Sequence, residues 1–165
     1  CDWSSDVCSS DLDSGKGWAF MAWVRRDGPG SGALFSTMKF NVPASSGGYG
    51  GGVEVRLNEA GAVEVRIARR WPAYSLNLVT REVLAPNQWH HVLVTCDGSG
   101  WARGARLFLD GDECHRDVLH DDLQGPLGIA GDALVGATME PGGADRKSTR
   151  LNSSHIPLSR MPSSA

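Results

Sequence analysis

Two runs joined by a short turn, Val53-Glu54-Val55-Arg56-Leu57 and Val63-Glu64-Val65-Arg66-Ile67 around Asn58-Glu59-Ala60-Gly61, constrain this chain more than any other stretch. Apolar and charged residues alternate strictly on both sides of the turn, and a period of two sorts side chains onto the two faces of a strand. A helix would scatter the same valines around its circumference. The segment therefore reads as a hairpin with one face on an apolar core and a Glu/Arg face in water. Cross-strand Glu–Arg pairs there would contribute about 0.2–1 kcal/mol each. Four charges so placed read as a solvated surface, not as a catalytic carboxylate pair.

Further strands are read on either side. Gly17 to Arg26 alternates, with Phe20, Ala22 and Val24 facing one way and Met21 and Trp23 the other. Ala33 to Phe40, Tyr74 to Val83, Trp89 to Thr95 and Ala105 to Leu109 follow, and Asp110-Gly111 supplies the strongest two-residue hairpin signal because both central residues need positive φ. The chain is expected to return as one strand from Asp112 to Val118, with a last apolar run at Ala133 to Ala137. No segment sustains a helical period. About eight short strands between frequent turns indicate an all-β, two-sheet antiparallel jelly-roll sandwich, with edge strands left unpaired at a truncated domain. Trp18, Trp23 and Trp89, lying on strands, are assigned to its core.

Composition narrows the functional classes. The 165 residues carry a net charge of −3 and a pI near 5.9, with both signs interspersed. That gives no basic face for nucleic acid, and no apolar run approaches the roughly 20 residues of a membrane span. All 21 glycines lie between Gly15 and Gly143. Residues 1–12 and 145–165 are Ser-rich, lack glycine and resemble translated sequencing adapters (DWSSDVCSSDL and DRKSTRLNSSH), so the domain is set at 13–144 and both ends are expected to pack against nothing and join no ladder. Without an initiator Met or a signal-type apolar stretch, the chain reads as beginning within a longer gene.

A family resemblance rests on particular residues. Trp89-His90-His91-Val92-Leu93-Val94-Thr95-Cys96-Asp97-Gly98, followed by Arg106-Leu107-Phe108-Leu109-Asp110-Gly111, resembles the paired W-x-H-V-x-V-T-x-D-G and L-Y-V-D-G strands of laminin-G-like domains in the concanavalin A-like lectin and glucanase superfamily. Phe20-Met21-Ala22-Trp23-Val24 and Leu134-Val135-Gly136 resemble its first and late strands. Arg70-Trp71-Pro72-Ala73-Tyr74, with Val118 to Leu123, is similar to the form embedded in large planctomycete-type proteins that also carry a cytochrome c-like region. The family's usual Tyr before Asp97 is Cys96 here.

Catalytic chemistry finds little footing. Retaining glucanases need two carboxyl groups about 5–5.5 Å apart, and no E-x-D-x-x-E-like run supplies them. His90 and Cys96 lie about 20 Å apart along a strand at ~3.3 Å per residue, too far for a Cys/His pair. Cys114 falls one strand beyond the Ala105 to Leu109 strand that pairs with that of Cys96, about 9–10 Å sideways, past the roughly 7 Å limit for a disulfide, so both are expected as free thiols. Asp110, Asp112 and Asp121 are candidate calcium ligands, hard oxygens in a dense acidic stretch; the alternative is a solvated acidic loop, with Asp110 already explained by its turn. Zinc through Cys96, Cys114, His115 and His120 lacks the usual spacing. The glycine clusters open no helix, so they form no phosphate cradle.

The ligand-facing candidates are aromatic. Trp71 and Tyr74 stand with Arg69, Arg70 and Asn77, the combination of flat ring and polar donors that holds sugar faces and edges. The alternative is that Trp71 caps the sandwich and Arg69 and Arg70 are surface charge. Together these features indicate a non-catalytic module that binds a glycan or a protein, within a larger exported protein, extracellular or periplasmic, whose other domains are its neighbours. No cofactor is expected unless calcium. The rival readings are a structural spacer and the remnant of a glycan-active hydrolase.

Overall fold

The computed structural model describes residues 15–38, 50–125, 127 and 133–136, and the backbone of 149–152. In chain order the strands are β1 (Trp18–Arg26), β2 (Gly32–Ser36), β3 (Gly52–Leu57), β4 (Ala62–Ala68), β5 (Ser75–Val83), β6 (Trp89–Cys96), β7 (Ala105–Leu109), β8 (Asp112–Glu113), β9 (Arg116–Asp121), β10 (Leu134–Val135) and β11 (Thr149–Asn152). One sheet has five strands in the order β11-β1-β6-β7-β8, the other six in the order β10-β2-β3-β4-β5-β9. Every pairing is antiparallel, and the two sheets form the expected jelly-roll sandwich. Among the described residues no helix is long and apolar enough to cross a membrane.

The core is what the alternation demands. Phe20, Ala22 and Val24 of β1 and Val92 and Val94 of β6 meet Phe35, Val53, Val55, Val63, Val65, Leu76 and Leu78 of the facing sheet. The rings of Phe20 and Phe35 stand 5.7 Å apart across the interior. Arg26, at the end of β1, ties one sheet to the β3–β4 turn of the other by donating from Nη1 to the Ala60 carbonyl (2.9 Å) and from Nη2 to the Glu59 carbonyl (2.7 Å). Gly61 holds φ +92° there, and a Cβ on it would collide with that guanidinium, so glycine meets both demands. At the β7–β8 turn Asp110 and Gly111 have φ 53° and 98°, the positive pair read from Asp-Gly.

Three expectations are corrected. Trp18 is buried, but Trp23 is 51% and Trp89 41% exposed, because both occupy the side of β1 or β6 that faces away from the second sheet. A strand buried on one face leaves its other parity outside whatever residue stands there. The run Asp112 to Val118 is not one strand. β8 closes the five-stranded sheet, Cys114 donates its N–H to the Leu107 carbonyl, and the His115 carbonyl then accepts from the Arg81 N–H, which hands the chain to β9 in the other sheet. Sandwich corners of this kind break a strand without breaking its alternation. Finally, residues 149–152 do join a ladder: β11 pairs along the edge of β1 from Arg26↔Thr149 to Trp23↔Asn152. An open edge offers backbone N–H and C=O groups that an extended segment of any sequence can satisfy.

Cys96 and Cys114 are buried free thiols. Burial, chiefly, pushes Cys96 from 9.0 up to about 12 and Cys114 up to about 11. The folded chain therefore holds these protons more tightly than the unfolded one, and the associated stability, complete below pH 9, is lost as pH rises toward 12. Maleimide labelling of both thiols at pH 8 should be slow in the native protein and complete in denaturant without reductant. The fall in stability above pH 9 should be smaller in Cys96→Ala than in the parent. Fast native labelling of Cys96 would contradict its place in the core.

Candidate functional site

The two sandwich faces turned away from the core differ in chemistry. Across the outer face of the six-stranded sheet, register aligns Ser36 with Glu54, Glu54 with Arg66, Arg66 with Asn77, and Asn77 with His120. One polar row thus crosses β2, β3, β4, β5 and β9. Arg56 stands opposite Glu64 beside it. The hairpin's charged face is consequently assembled as its alternation requires, but it does not lie in water. Glu54 is 1% and Glu64 6% exposed.

Buried carboxylates need compensation, and here it is reciprocal. Arg66 donates from Nε and Nη2 to the two oxygens of Glu64 (2.8 and 3.0 Å), and its Nη1 lies 3.5 Å from Glu54. Arg56 reaches Glu54 at 3.7 Å and Glu64 at 3.9 Å. Each guanidinium therefore faces both carboxylates, and Asn77 Nδ2 adds a hydrogen bond to Glu64 (3.2 Å). The expectation of a solvated face fails because alternation says which side a residue faces and nothing about what covers that side. Trp71 is part of the cover. Its ring lies 5.0 Å from the Arg66 guanidinium and meets the His120 ring edge-on at 5.9 Å, and it packs against Met38 and Ala68 outside the main core.

The five sequence-derived ligand candidates divide accordingly. Asn77 lies in the polar row and is buried, and Trp71, half-buried, stands against the row at Arg66 and His120. Arg69, Arg70 and Tyr74 belong to the β4–β5 loop and are exposed. That loop is closed by the Arg69 N–H donating to the Tyr74 carbonyl (3.1 Å) and by Ser75 Oγ donating to the Pro72 carbonyl (2.6 Å). Tyr74 takes φ 50°, which turns the chain back into β5. Glu64, Arg66 and His120 belong with the site and were absent from the sequence-derived set. Glu64 and Arg66 carried a signal in their alternation, while His120 had none, since its pairing with Asn77 is long-range.

The calcium candidates are not brought together. Asp110 directs Oδ2 to His90 Nδ1 (2.7 Å) and accepts the His91 N–H at Oδ1 (2.8 Å), contacts that hold its carboxyl below the ordinary range. Asp112 belongs to β8 of the same sheet, whereas Asp121 lies on β9 of the other and accepts the Ala102 N–H (2.8 Å). The crossing after Cys114 separates residues that are close in sequence. Among the described residues no three His, Cys, Asp or Glu side chains converge on a metal-sized site.

The laminin-G-like model of the concanavalin A-like lectin/glucanases superfamily matches residues 4–147, and the chain belongs to that family. A search of curated proteins gives no match.

The buried quartet has a measurable consequence. Removing Glu54 leaves Arg56 and Arg66 with half their compensation, so Glu54→Ala should destabilise by about 2–4 kcal/mol, somewhat below the usual cost for a fully buried pair because both arginines keep some solvent contact. A solvated face would lose at most about 1 kcal/mol. Urea denaturation of the two proteins separates these outcomes.

Proposed function

We propose that this member of the concanavalin A-like lectin/glucanases superfamily is a non-catalytic recognition module whose ligand anchor is Trp71. Folds of this class often serve as carbohydrate- or protein-binding modules, and a glycan is the ligand that suits these residues. A half-buried indole, with a guanidinium over its ring and an imidazole meeting it at a steep angle, shares the β4–β5 loop with the exposed Tyr74 and Arg69. Rings of that kind stack on sugar faces while neighbouring donors take the hydroxyls.

The observation that carries the non-catalytic reading is the use already made of Glu54 and Glu64. Glycoside hydrolysis needs one carboxyl group to give a proton and a second to attack or to activate water. On this face both carboxylates are turned onto Arg56 and Arg66, which leaves neither aimed at a sugar bond. Calcium has no part in the proposal, because Asp110 and Asp121 already direct oxygens to His90, His91 and Ala102. We place the module in an extracellular or periplasmic setting, alongside other domains of a longer chain, a reading that rests on the likeness of its strand motifs to laminin-G-like domains.

Trp71→Ala tests the anchor. Binding on a glycan array should weaken by about 1–3 kcal/mol. The stability loss should stay well below the roughly 3–5 kcal/mol expected of a core change such as Phe20→Ala, because Trp71 lies outside the main core. Absence of glycan binding in the parent, together with a core-sized loss of stability in Trp71→Ala, would favour a structural spacer.

A further inference from the structure

The outer face of the five-stranded sheet carries a second arrangement that the Trp71 reading does not use. Register places Met21 opposite Leu93 and Leu93 opposite Phe108, Trp23 opposite His91, and Arg25 opposite Trp89. Trp89 and His91 are two residues apart on β6 and so share a face with Trp23. The result is a plane of aromatic and apolar side chains in which the two indoles stand highest, Trp23 at 51% and Trp89 at 41% exposure. Diagonal neighbours on paired strands lie about 7–8 Å apart, a spacing that lets both rings meet one chain of linked sugar rings. The Trp23 ring is steadied by His91, with centroids 5.3 Å apart and planes tilted by 58°. Both indoles sit within the continuous β1–β6 ladder, so the plane is held by sheet hydrogen bonds rather than by a loop.

The charge around this plane restricts what fits it. The charged side chains of β1 and β7 on this face are paired within the chain, Arg25 with Asp27 and Arg106 with Glu113, and at its rim Asp110 is paired with His90. A nucleic acid, a sulfated glycan or an anionic membrane would need cations left over for it, and an acidic or basic peptide would need the complementary charge. An uncharged chain with flat C–H faces and hydroxyl edges needs neither. We infer that the outer face of the five-stranded sheet, centred on Trp23 and Trp89, is a binding platform for a neutral polysaccharide, separate from the Trp71 site on the opposite side of the sandwich.

Affinity electrophoresis of the full chain through gels containing soluble neutral polysaccharides (a mixed-linkage glucan, a xylan and a galactomannan) tests this, with Trp23→Ala, Trp89→Ala and Trp71→Ala run beside the parent. At least one polymer should retard the parent, and Trp23→Ala and Trp89→Ala should each weaken that retardation tenfold or more while Trp71→Ala leaves it in place. Trp23→Tyr, which keeps a ring, should retain part of the effect and controls for any loss of fold in the alanine variants, as do their thermal melts. Retardation lost only in Trp71→Ala would overturn the platform and leave the Trp71 site standing. No retardation by any of the polymers would overturn the platform too, as would a parent dimer in sedimentation that Trp23→Ala converts to monomer, since a second copy would then own this face.

Discussion

Four charged side chains that cannot all reach water organise one side of this molecule. Glu54 and Glu64 are almost wholly enclosed, and taking a carboxylate out of water costs several kcal/mol unless a cation with good geometry replaces the lost hydration. Arg66 provides it through a two-pronged contact with Glu64 and a longer one with Glu54, while Arg56 closes the square. These contacts are satisfied only when β3 and β4 pair with Glu54 opposite Arg66 and Arg56 opposite Glu64. A slip of β4 by one residue would turn Glu64 and Arg66 into the apolar interior and leave Glu54 and Arg56 without partners. The same register sets Asn77 beside Arg66 and brings His120 next in line, which is what positions Trp71 over the row.

The sandwich thus presents two unlike outer surfaces from one period-two code. On the six-stranded sheet the outward parity is filled by Glu, Arg and Asn and is partly covered; on the five-stranded sheet it is filled by Trp, His, Leu and Phe and is partly open. The interior is ordinary packing between the two. Binding chemistry belongs to the outward positions because their side chains are free of the packing demands met inside.

Much of this was legible in the sequence. Alternation located nearly all the strands, Asp110-Gly111 marked its turn, and the spacing of Cys96 from Cys114 excluded a disulfide. What stayed hidden was long-range. The outward parity of Trp23 could be read, but whether another layer would cover it could not, and the opposite error was made for Glu54. Asp112 and Asp121 lie nine positions apart in the chain and in different sheets, because the strand changes sheet between them. Trp71 and Asn77 were found from local composition, whereas His120 joins them only through the pairing of β5 with β9.

The claim on which the polar site depends is that Glu64 and Arg66 are coupled in a partly dry environment. A double-mutant cycle by urea denaturation, comparing Glu64→Gln, Arg66→Met and the double variant with the parent, measures that coupling directly. The account requires an interaction energy of at least about 1 kcal/mol, within the range for residues sharing a buried network. A coupling of about 0.3 kcal/mol or less, as found for pairs on an exposed strand face, would contradict it.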